Sequence, residues 1–474
     1  MKILLINPPA KYTLKGNNPS IIDEERGYNP PLGLLYIAGY LEKWTPHQVK
    51  ILDSQVEEIN YDELESKIRQ INPDVVGMTT MTFTLIDVLK TAKMIKNISN
   101  EIQIVLGGPH IYIYPNETIF FPEIDFLVLG EGEITFAELV DNINDLEKLK
   151  NIPGLVFKAN GEIYNTGPRD FIRNLDKLPH PARHLVPYEK YSSLIAKRNP
   201  ITTMITSRGC PYNCSFCSRP HLGKRFRAHS AKNVILEMKE CIKLGINEFL
   251  IYDDTFSIDR QRVLDICDEI IKERLDIGWD IRVRVDTVDE VMLKKLKQAN
   301  CERIHYGVEA GTEKILKVLR KGITLTQVEE AFRLTKKVGI STLAYFMIGS
   351  PTETKEDILQ TLKFAKKLNP DFVHITITTP FPATYIYQKG LEQGIIKRDF
   401  WHDFAQNPTE NFQPEYWEEN LTSTELLELI DYSYKYFYTR PTYILKELLK
   451  IKSFGELKKK VKAGIKVISG KTMR

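Results

Sequence analysis

The apolar positions of this chain fall into short unbroken runs separated by helical stripes. The runs at 2–6, 49–52, 75–78, 103–106 and 126–129 are apolar on both parities rather than alternating. Runs of this kind predict strands covered on both faces, as in a parallel sheet. Between them, 31–42, 61–71 and 85–95 repeat apolar residues at three- and four-residue spacing, the period of an amphipathic helix. The first of these helices opens on Pro31, a residue that helices accept at their start. Strands alternating with crossover helices predict a doubly wound parallel sheet, which binds ligands at the carboxyl ends of its strands.

The alternation resumes from about residue 200. Strands are predicted over 201–206, 248–252, 280–285, 303–307, 342–348 and 372–378, with helices over 234–244, 262–273, 290–299, 313–319, 325–338 and 355–368. Six such units suit a partial parallel barrel, again with its site at the carboxyl ends of the strands. Between the two halves, residues 154–164 read as a hairpin turning on Asn160-Gly161. Leu178-Pro179-His180-Pro181 then reads as an interdomain linker.

Composition narrows the class. The chain has 474 residues, 42% hydrophobic and 27% charged, which suits a globular enzyme of two or three domains. Its net charge of +3 is too small to imply a nucleic-acid partner. No run approaches the roughly 20 apolar residues of a membrane span, and the start, Met-Lys-Ile-Leu-Leu-Ile-Asn-Pro-Pro, lacks the pattern of a signal peptide. All six cysteines lie between 210 and 301, which does not suit a secreted disulfide scaffold and predicts a reducing cytoplasm. Cys241, Cys267 and Cys301 sit in or beside helical patterns and read as small buried hydrophobes. The segment 441–474 carries nine lysines and one arginine against two glutamates, net +8, with interleaved apolar residues. Such a basic amphipathic stretch either lies on an anionic membrane or packs its apolar face on the barrel.

Three cysteines carry the chemistry. Cys210, Cys214 and Cys217 stand in Arg-Gly-Cys-Pro-Tyr-Asn-Cys-Ser-Phe-Cys, directly after the first barrel strand. Three thiolates on one tight loop hold three irons of a 4Fe–4S cluster and leave the fourth iron without a protein ligand. An open metal position is what a catalytic site needs. The alternative is a zinc site completed by His221, in a zinc-containing nucleic-acid-binding protein. Zinc modules place two close ligand pairs far apart, whereas these four residues crowd into one loop.

The cysteine spacing, with an aromatic just before the last cysteine, resembles the radical S-adenosylmethionine (radical SAM) superfamily. Together with the sheet before it, nearly the whole chain resembles the class B, cobalamin-binding members, a group that includes hopanoid methylases and the anaerobic Mg-protoporphyrin ester cyclase. The resemblance implies a cobalamin-binding domain over 1–145, a hairpin and linker over 146–195, a radical SAM partial barrel over 196–385 and a helical C-terminal region over 386–474. It implies a 4Fe–4S cluster, SAM and cobalamin as cofactors, and a low-potential electron donor such as ferredoxin or flavodoxin. The open iron would chelate SAM, with Asp253, Asp254, Arg284, Glu309 and Gly349 at the barrel strand ends around it. Acids there suit an amine and ribose hydroxyls, and a guanidinium suits a carboxylate. The first sheet's loops would meet cobalamin through Asn7, Thr79, Gly107, Gly108, His110, Glu131 and Gly132. Many cobalamin domains ligate cobalt through histidine in Asp-x-His-x-x-Gly; here Asp53-Ser54-Gln55 puts glutamine in that place. Ala383, after the last barrel strand, likewise replaces the glycine of a Pro-x-Pro-Gly-Thr run. The implied reaction is methylation of an unactivated carbon in a small or lipid-like metabolite through a 5′-deoxyadenosyl radical, with oxidative cyclisation or rearrangement as the alternative within the same architecture. A small-molecule substrate and no nucleic acid follow from that reading, with peripheral membrane contact through the basic tail as a further expectation.

Overall fold

The computed structural model describes residues 1–16, 27–193 and 195–449. Two sheets organise it. The first contains β1 (Lys2–Asn7), β2 (Gln48–Asp53), β3 (Val75–Thr79), β4 (Gln103–Gly107), β5 (Phe126–Val128), β6 (Leu155–Ala159) and β7 (Glu162–Asn165), in the order β2-β1-β3-β4-β5-β6-β7. β1 to β5 are parallel. The order reverses between β1 and β3, the switch point where doubly wound sheets bind ligands. Leu4, Leu5 and Ile6 are fully buried between layers of helices, which is why this strand is an unbroken apolar run. The predicted hairpin is part of this sheet: β6 pairs antiparallel with β5, and β7 with β6.

The second sheet is a curled, all-parallel half-barrel. After β8 (Ile201–Met204), the short antiparallel pair β9 (Ser207–Arg208) and β10 (Arg227–Ala228) stands outside it. Then follow β11 (Glu248–Ile251), β12 (Gly278–Val283), β13 (Cys301–Glu309), β14 (Ser341–Ile348) and β15 (Phe372–Ile377), in spatial order β15-β14-β13-β12-β11-β8. Its core lies between strands and outer helices, around Phe249, Trp279, Ile304, Tyr306 and Phe346, with Cys241, Cys267 and Cys301 buried among them. Helix ends are set locally. The helix Lys355–Leu368 opens on a capping box of Thr354 and Asp357 and closes on Asn369 in the left-handed region. Such caps contribute about 1 kcal/mol each.

Two features were not legible as elements. Gly132–Asp141 is a helix, although Gly-Glu-Gly-Glu reads as a loop. The first barrel strand stops at Met204, because Thr206 turns its amide to Asp253.

The linker is fastened to both halves. Ala182 donates its amide to Leu35 of the first domain, and buried Arg183 reaches Thr202, Thr203 and Glu237 of the barrel. On the opposite side, Phe400, Trp401 and Phe404 of the C-terminal region pack with Leu85, Ile86 and Tyr114 of the first domain. His402 pairs there with Glu117 at 3.0 Å. The helix Ser423–Tyr438 covers the β15 edge, where Tyr434 and Tyr438 bond the backbone of Ile375 and Val373. The basic tail begins in the helix Pro441–Leu449, and the rest of it, including most of its lysines, lies outside the described residues. Among the described residues no helix is long and apolar enough to cross a membrane.

Candidate functional site

The cysteines lie on the loop between β9 and β10. The two-residue ladder, Arg208 opposite Arg227 and Ser207 opposite Ala228, draws the loop ends together. Gly209 has φ +84°, and a Cβ there would stand 2.3 Å from the Arg225 carbonyl oxygen, so only glycine closes the loop this tightly. Cys210 and Cys214 are half-buried and Cys217 is exposed, all as free thiols. Cys217 donates its amide to the Cys214 carbonyl, and Ser215 donates to Leu319. Burial pushes the Cys214 thiol up, and the Lys321 and Arg284 cations oppose that. Thiolates are the form that binds metal, so these two cations favour a loaded loop. Among the described residues no three His, Cys, Asp or Glu side chains close on one ion position. Thiols that bind separate irons of one cluster do not need to converge on a point. His221 is half-buried on the same loop, with Nδ1 unpartnered, and burial and Arg219 push it down to about 4.

The barrel strand ends arrange the other groups. Asp253 is buried, and its carboxylate accepts from the amides and hydroxyls of Thr206 and Ser207 at 2.6–3.1 Å. It therefore braces the turn into the cysteine loop, and its oxygens are occupied where the sequence suggested an amine contact. Asp254 pairs with Arg219, and its second oxygen is buried without a partner. Burial pushes its carboxyl up despite Arg219. Arg284 is held by Asp286 through two bonds and by the Lys321 carbonyl, over the Tyr212 ring at 3.7 Å. Its Nη1 is buried and unpartnered. Glu309 has φ +72°, next to a register shift between β13 and β14, and takes the Lys321 ammonium at 2.7 Å. A non-glycine residue in that region costs about 1–3 kcal/mol, and such strain concentrates at functional sites. Gly349 has φ +75°, and its absent Cβ would meet Leu426 at 2.7 Å, so this glycine makes room for a C-terminal helix rather than for a ligand. Sequence reasoning missed Arg219 and Lys321, and it reads Glu353 as a helix cap. The last is buried with one oxygen unpartnered, and burial pushes it up to about 8. Glu353 lies in the run Gly349-Ser350-Pro351-Thr352-Glu353 after β14, which was a visible signal.

At the first sheet's carboxyl edge, Asn7 donates to Asp53 at 2.7 Å, and Asp53 also accepts the Tyr191 hydroxyl. Gln55 folds inward and donates to Asn7 and the Pro8 carbonyl. Thr79 is half-buried at the end of β3. Gly107 has no contact closer than 3.7 Å at its Cβ position, whereas Gly108 has φ +105° and a Cβ there would stand 2.7 Å from the Thr80 oxygen. His110 is fully buried, bonded to Thr82 through Nδ1, and pushed down to about 3 by burial. Its Nε2 has no partner; nor do the buried hydroxyls of Ser54 and Thr80, neighbours of the residues expected to meet cobalamin. Three orphaned polar atoms on one sheet edge call for a polar ligand. Pro9, Gln55 and Tyr61 line a cleft of about 530 Å³ on the β1–β2 side of it.

Glu131 and Gly132 are elsewhere. Glu131 accepts from Arg208 at 3.0 Å and from Arg227 at 2.8 Å, and Glu133 accepts from Arg208 at 2.5 Å. All four side chains are buried. Glu131 is thus spent on the junction between the domains, not on a cofactor. Gly132 opens the helix that packs on Ile37 and Val128. The cysteine loop is consequently pinned at both ends, through Arg208 and Arg227, to the loop after β5. Further contacts cross the same junction: Tyr36 donates to the Ile205 carbonyl, and Asn29 reaches the Tyr252 hydroxyl. The two sheets meet across their carboxyl edges, with the cysteine loop between them.

Comparison with known proteins gives this geometry a family. Residues 204–365 match the radical SAM superfamily and residues 20–140 the B12 binding domain. An uncharacterized methyltransferase of Pyrococcus horikoshii is 36% identical over 457 residues, 96% of each chain. The chain belongs to the cobalamin-binding radical SAM family. Within that family it is 30% identical to the anaerobic magnesium-protoporphyrin IX monomethyl ester cyclase of Rubrivivax gelatinosus, over 82% of this chain and 70% of that protein. The solved cobalamin-dependent SAM radical enzyme OxsB, with aqua-cobalamin and SAM bound, shares the fold with a TM-score of 0.76 at 19% identity, over 98% of this chain and 72% of that one. Like other members of the family, the chain is an enzyme.

Proposed function

We propose that this enzyme is a cobalamin-dependent radical SAM methyltransferase acting on an unactivated carbon of a small or lipid-like metabolite. One observation carries the reading: the cysteine loop stands where the carboxyl edges of the two sheets meet, pinned to the cobalamin-type domain by Arg208 and Arg227. The residues fit the cofactors. Cys210, Cys214 and Cys217 would hold the cluster. Arg284, through its free Nη1, and Asp254, through its free oxygen, would meet SAM, with Glu309 and Lys321 beside them. Asn7, Thr79, Thr80, Ser54, Gly108 and His110 would receive cobalamin, and Gln55, bonded to Asn7 and Pro8, would offer it an amide in place of an imidazole. When bound, these groups supply reductive cleavage of SAM and methyl transfer. The protein's own part is to fix the cofactors, keep the cysteine loop closed and exclude water from radical chemistry. The electron comes from a low-potential donor such as ferredoxin or flavodoxin.

The test is anaerobic reconstitution with iron, sulfide, cobalamin, SAM and reductant. The wild type should form 5′-deoxyadenosine, and replacing Cys210, Cys214 and Cys217 together by alanine should abolish both bound iron and that product. Metabolite comparison of a deletion strain then identifies a product heavier by one CH₂ unit. A product without that gain would replace methyl transfer by oxidative cyclisation. Formation of 5′-deoxyadenosine by the triple variant would overturn the radical SAM assignment of these cysteines.

A further inference from the structure

The inner wall of the half-barrel carries charge that neither the cysteine loop nor the strand ends use. Residues alternate along the strands. Ile281, Val283, Ile304, Tyr306 and Phe346 face the helices, and the other parity, Asp280, Arg282, Arg303, His305, Tyr345 and His374, faces inward. The register sets Arg282 beside His305, Gly307 beside Tyr345, and Tyr345 beside His374. Gly307 has no side chain, and the Glu309 carboxylate and Lys321 ammonium fill the place its Cβ would take.

Asp280 organises this layer. It takes Nε2 of His305 at 3.2 Å and lies 3.5 Å from Arg303 and 3.8 Å from Arg282. With Nε2–H given to Asp280, Nδ1 of His305 accepts the Tyr345 hydroxyl at 3.0 Å. The Tyr345 oxygen also accepts from the Arg282 guanidinium. Burial drives His305 toward its neutral form against the pull of Asp280. Arg282 stacks on the Tyr252 ring at 3.6 Å, donates to the Ile251 carbonyl, and stays 22% exposed.

Counting charges singles out Arg282. Arg284 has Asp286, Lys321 has Glu309, Arg183 has Glu237, and Arg219 has Asp254. Arg198 and Lys197 share Glu248 and Glu302. On the inner wall Asp280 serves two guanidiniums, and no other described carboxylate pairs with either of them. One positive charge on the inner wall is therefore left without a counter-ion, on the guanidinium that is partly open. A charge in a low-dielectric cavity demands a partner, and a planar guanidinium matches a carboxylate or phosphate.

We propose that the barrel interior binds a substrate bearing a carboxylate or phosphate, with that anion on Arg282. The proposal rests on the radical SAM reading, which makes this interior the substrate side, and it adds the substrate's charge class. The experiment uses the reconstituted full chain and three probes of one shape: benzoate, phenyl phosphate and neutral benzyl alcohol, followed by ligand-observed NMR. At least one of the two anions should bind about tenfold or more tightly than the alcohol. Whichever binds better assigns the carboxylate or the phosphate. Arg282→Met should remove the preference, and Arg282→Lys should retain part of it. Arg303 still accompanies Asp280 in both variants, and iron content reports that the barrel is intact. Equal binding of all three probes, no binding of either anion, or an undiminished preference in Arg282→Met would overturn the proposal. Formation of 5′-deoxyadenosine by the wild type is measured separately, so failure of the radical SAM reading is seen independently of probe binding.

Discussion

Replacing Arg208 with methionine should weaken the union of the two domains in a pH-dependent way. Arg208 bridges Glu131 and Glu133, and Arg227 backs Glu131 alone. After the substitution Glu131 keeps a cation and Glu133 loses its own. Glu133 already has one oxygen without a partner, so it would become a buried carboxylate with nothing opposite. Breaking a buried pair from one side costs about 3–5 kcal/mol, whereas replacing both partners by apolar groups is often close to neutral. Arg208→Met should therefore cost about 3 kcal/mol at pH 8, and Arg208→Met with Glu133→Leu should restore most of it. The pH dependence follows from Glu133. In the wild type, burial would raise its carboxyl, but Arg208 holds it below the usual range. That contribution is present above the unfolded glutamate pKa and is lost as pH falls through the folded one. Without Arg208 the group neutralises instead, so the gap between wild type and variant narrows as pH falls toward 5. Urea denaturation, with hydrogen exchange at the Gly132–Asp141 helix and the β9–β10 ladder, reads both effects. A single-variant cost below about 1 kcal/mol at pH 8, or a double variant no more stable than the single one, would refute the reasoning.

Three further expectations follow from other sites. His110 is held near 3 by burial against about 6.5 unfolded, so acid favours the unfolded chain as pH falls through 6.5; the wild type should lose about 2 kcal/mol between pH 8 and pH 5 through this group, and His110→Gln should lack that part of the slope in denaturation curves. Gly108→Ala should abolish uptake of hydroxocobalamin, read by absorbance after desalting, since its Cβ would stand 2.7 Å from the Thr80 oxygen at φ +105°; normal uptake would remove this turn from the cradle. Gly349→Ala should lower stability by about 1–3 kcal/mol through backbone strain and collision with Leu426, and Leu426→Ala in the same chain should relieve the collision but not the strain, which a double-mutant cycle measures.

The architecture was legible because β1 to β5 are parallel and buried on two faces, so they read as apolar runs, and the parallel barrel strands keep one apolar parity against their helices. The cysteine loop was legible because metal spacing is local. The roles of the acids were not. An aspartate at a strand's end looks the same in sequence whether it faces a ligand or its own loop, and Asp253 turned to Thr206 and Ser207, 46–47 residues before it. Glu131 found its partners 77 and 96 residues away, in the other domain. Lys321 reaches Glu309 only because the chain reverses around the helix Glu313–Val318, and nothing in the spacing announces that. The orphaned hydroxyls of Ser54 and Thr80 carry no motif; only the burial of the folded edge makes them conspicuous.

The clasp of Phe400, Trp401 and Phe404 on the first domain has a consequence for the birth of the molecule. During synthesis domains fold largely in order, from the amino end. A ribosome finishes both sheets, and the loop that holds the cysteines, before it releases this aromatic clasp. Until then the two domains are joined by the linker, the arginine–glutamate contacts and the bonds of Tyr36 and Asn29, without the aromatic cluster. The nascent chain thus passes through a stage in which its two domains hold together on fewer contacts than in the completed chain.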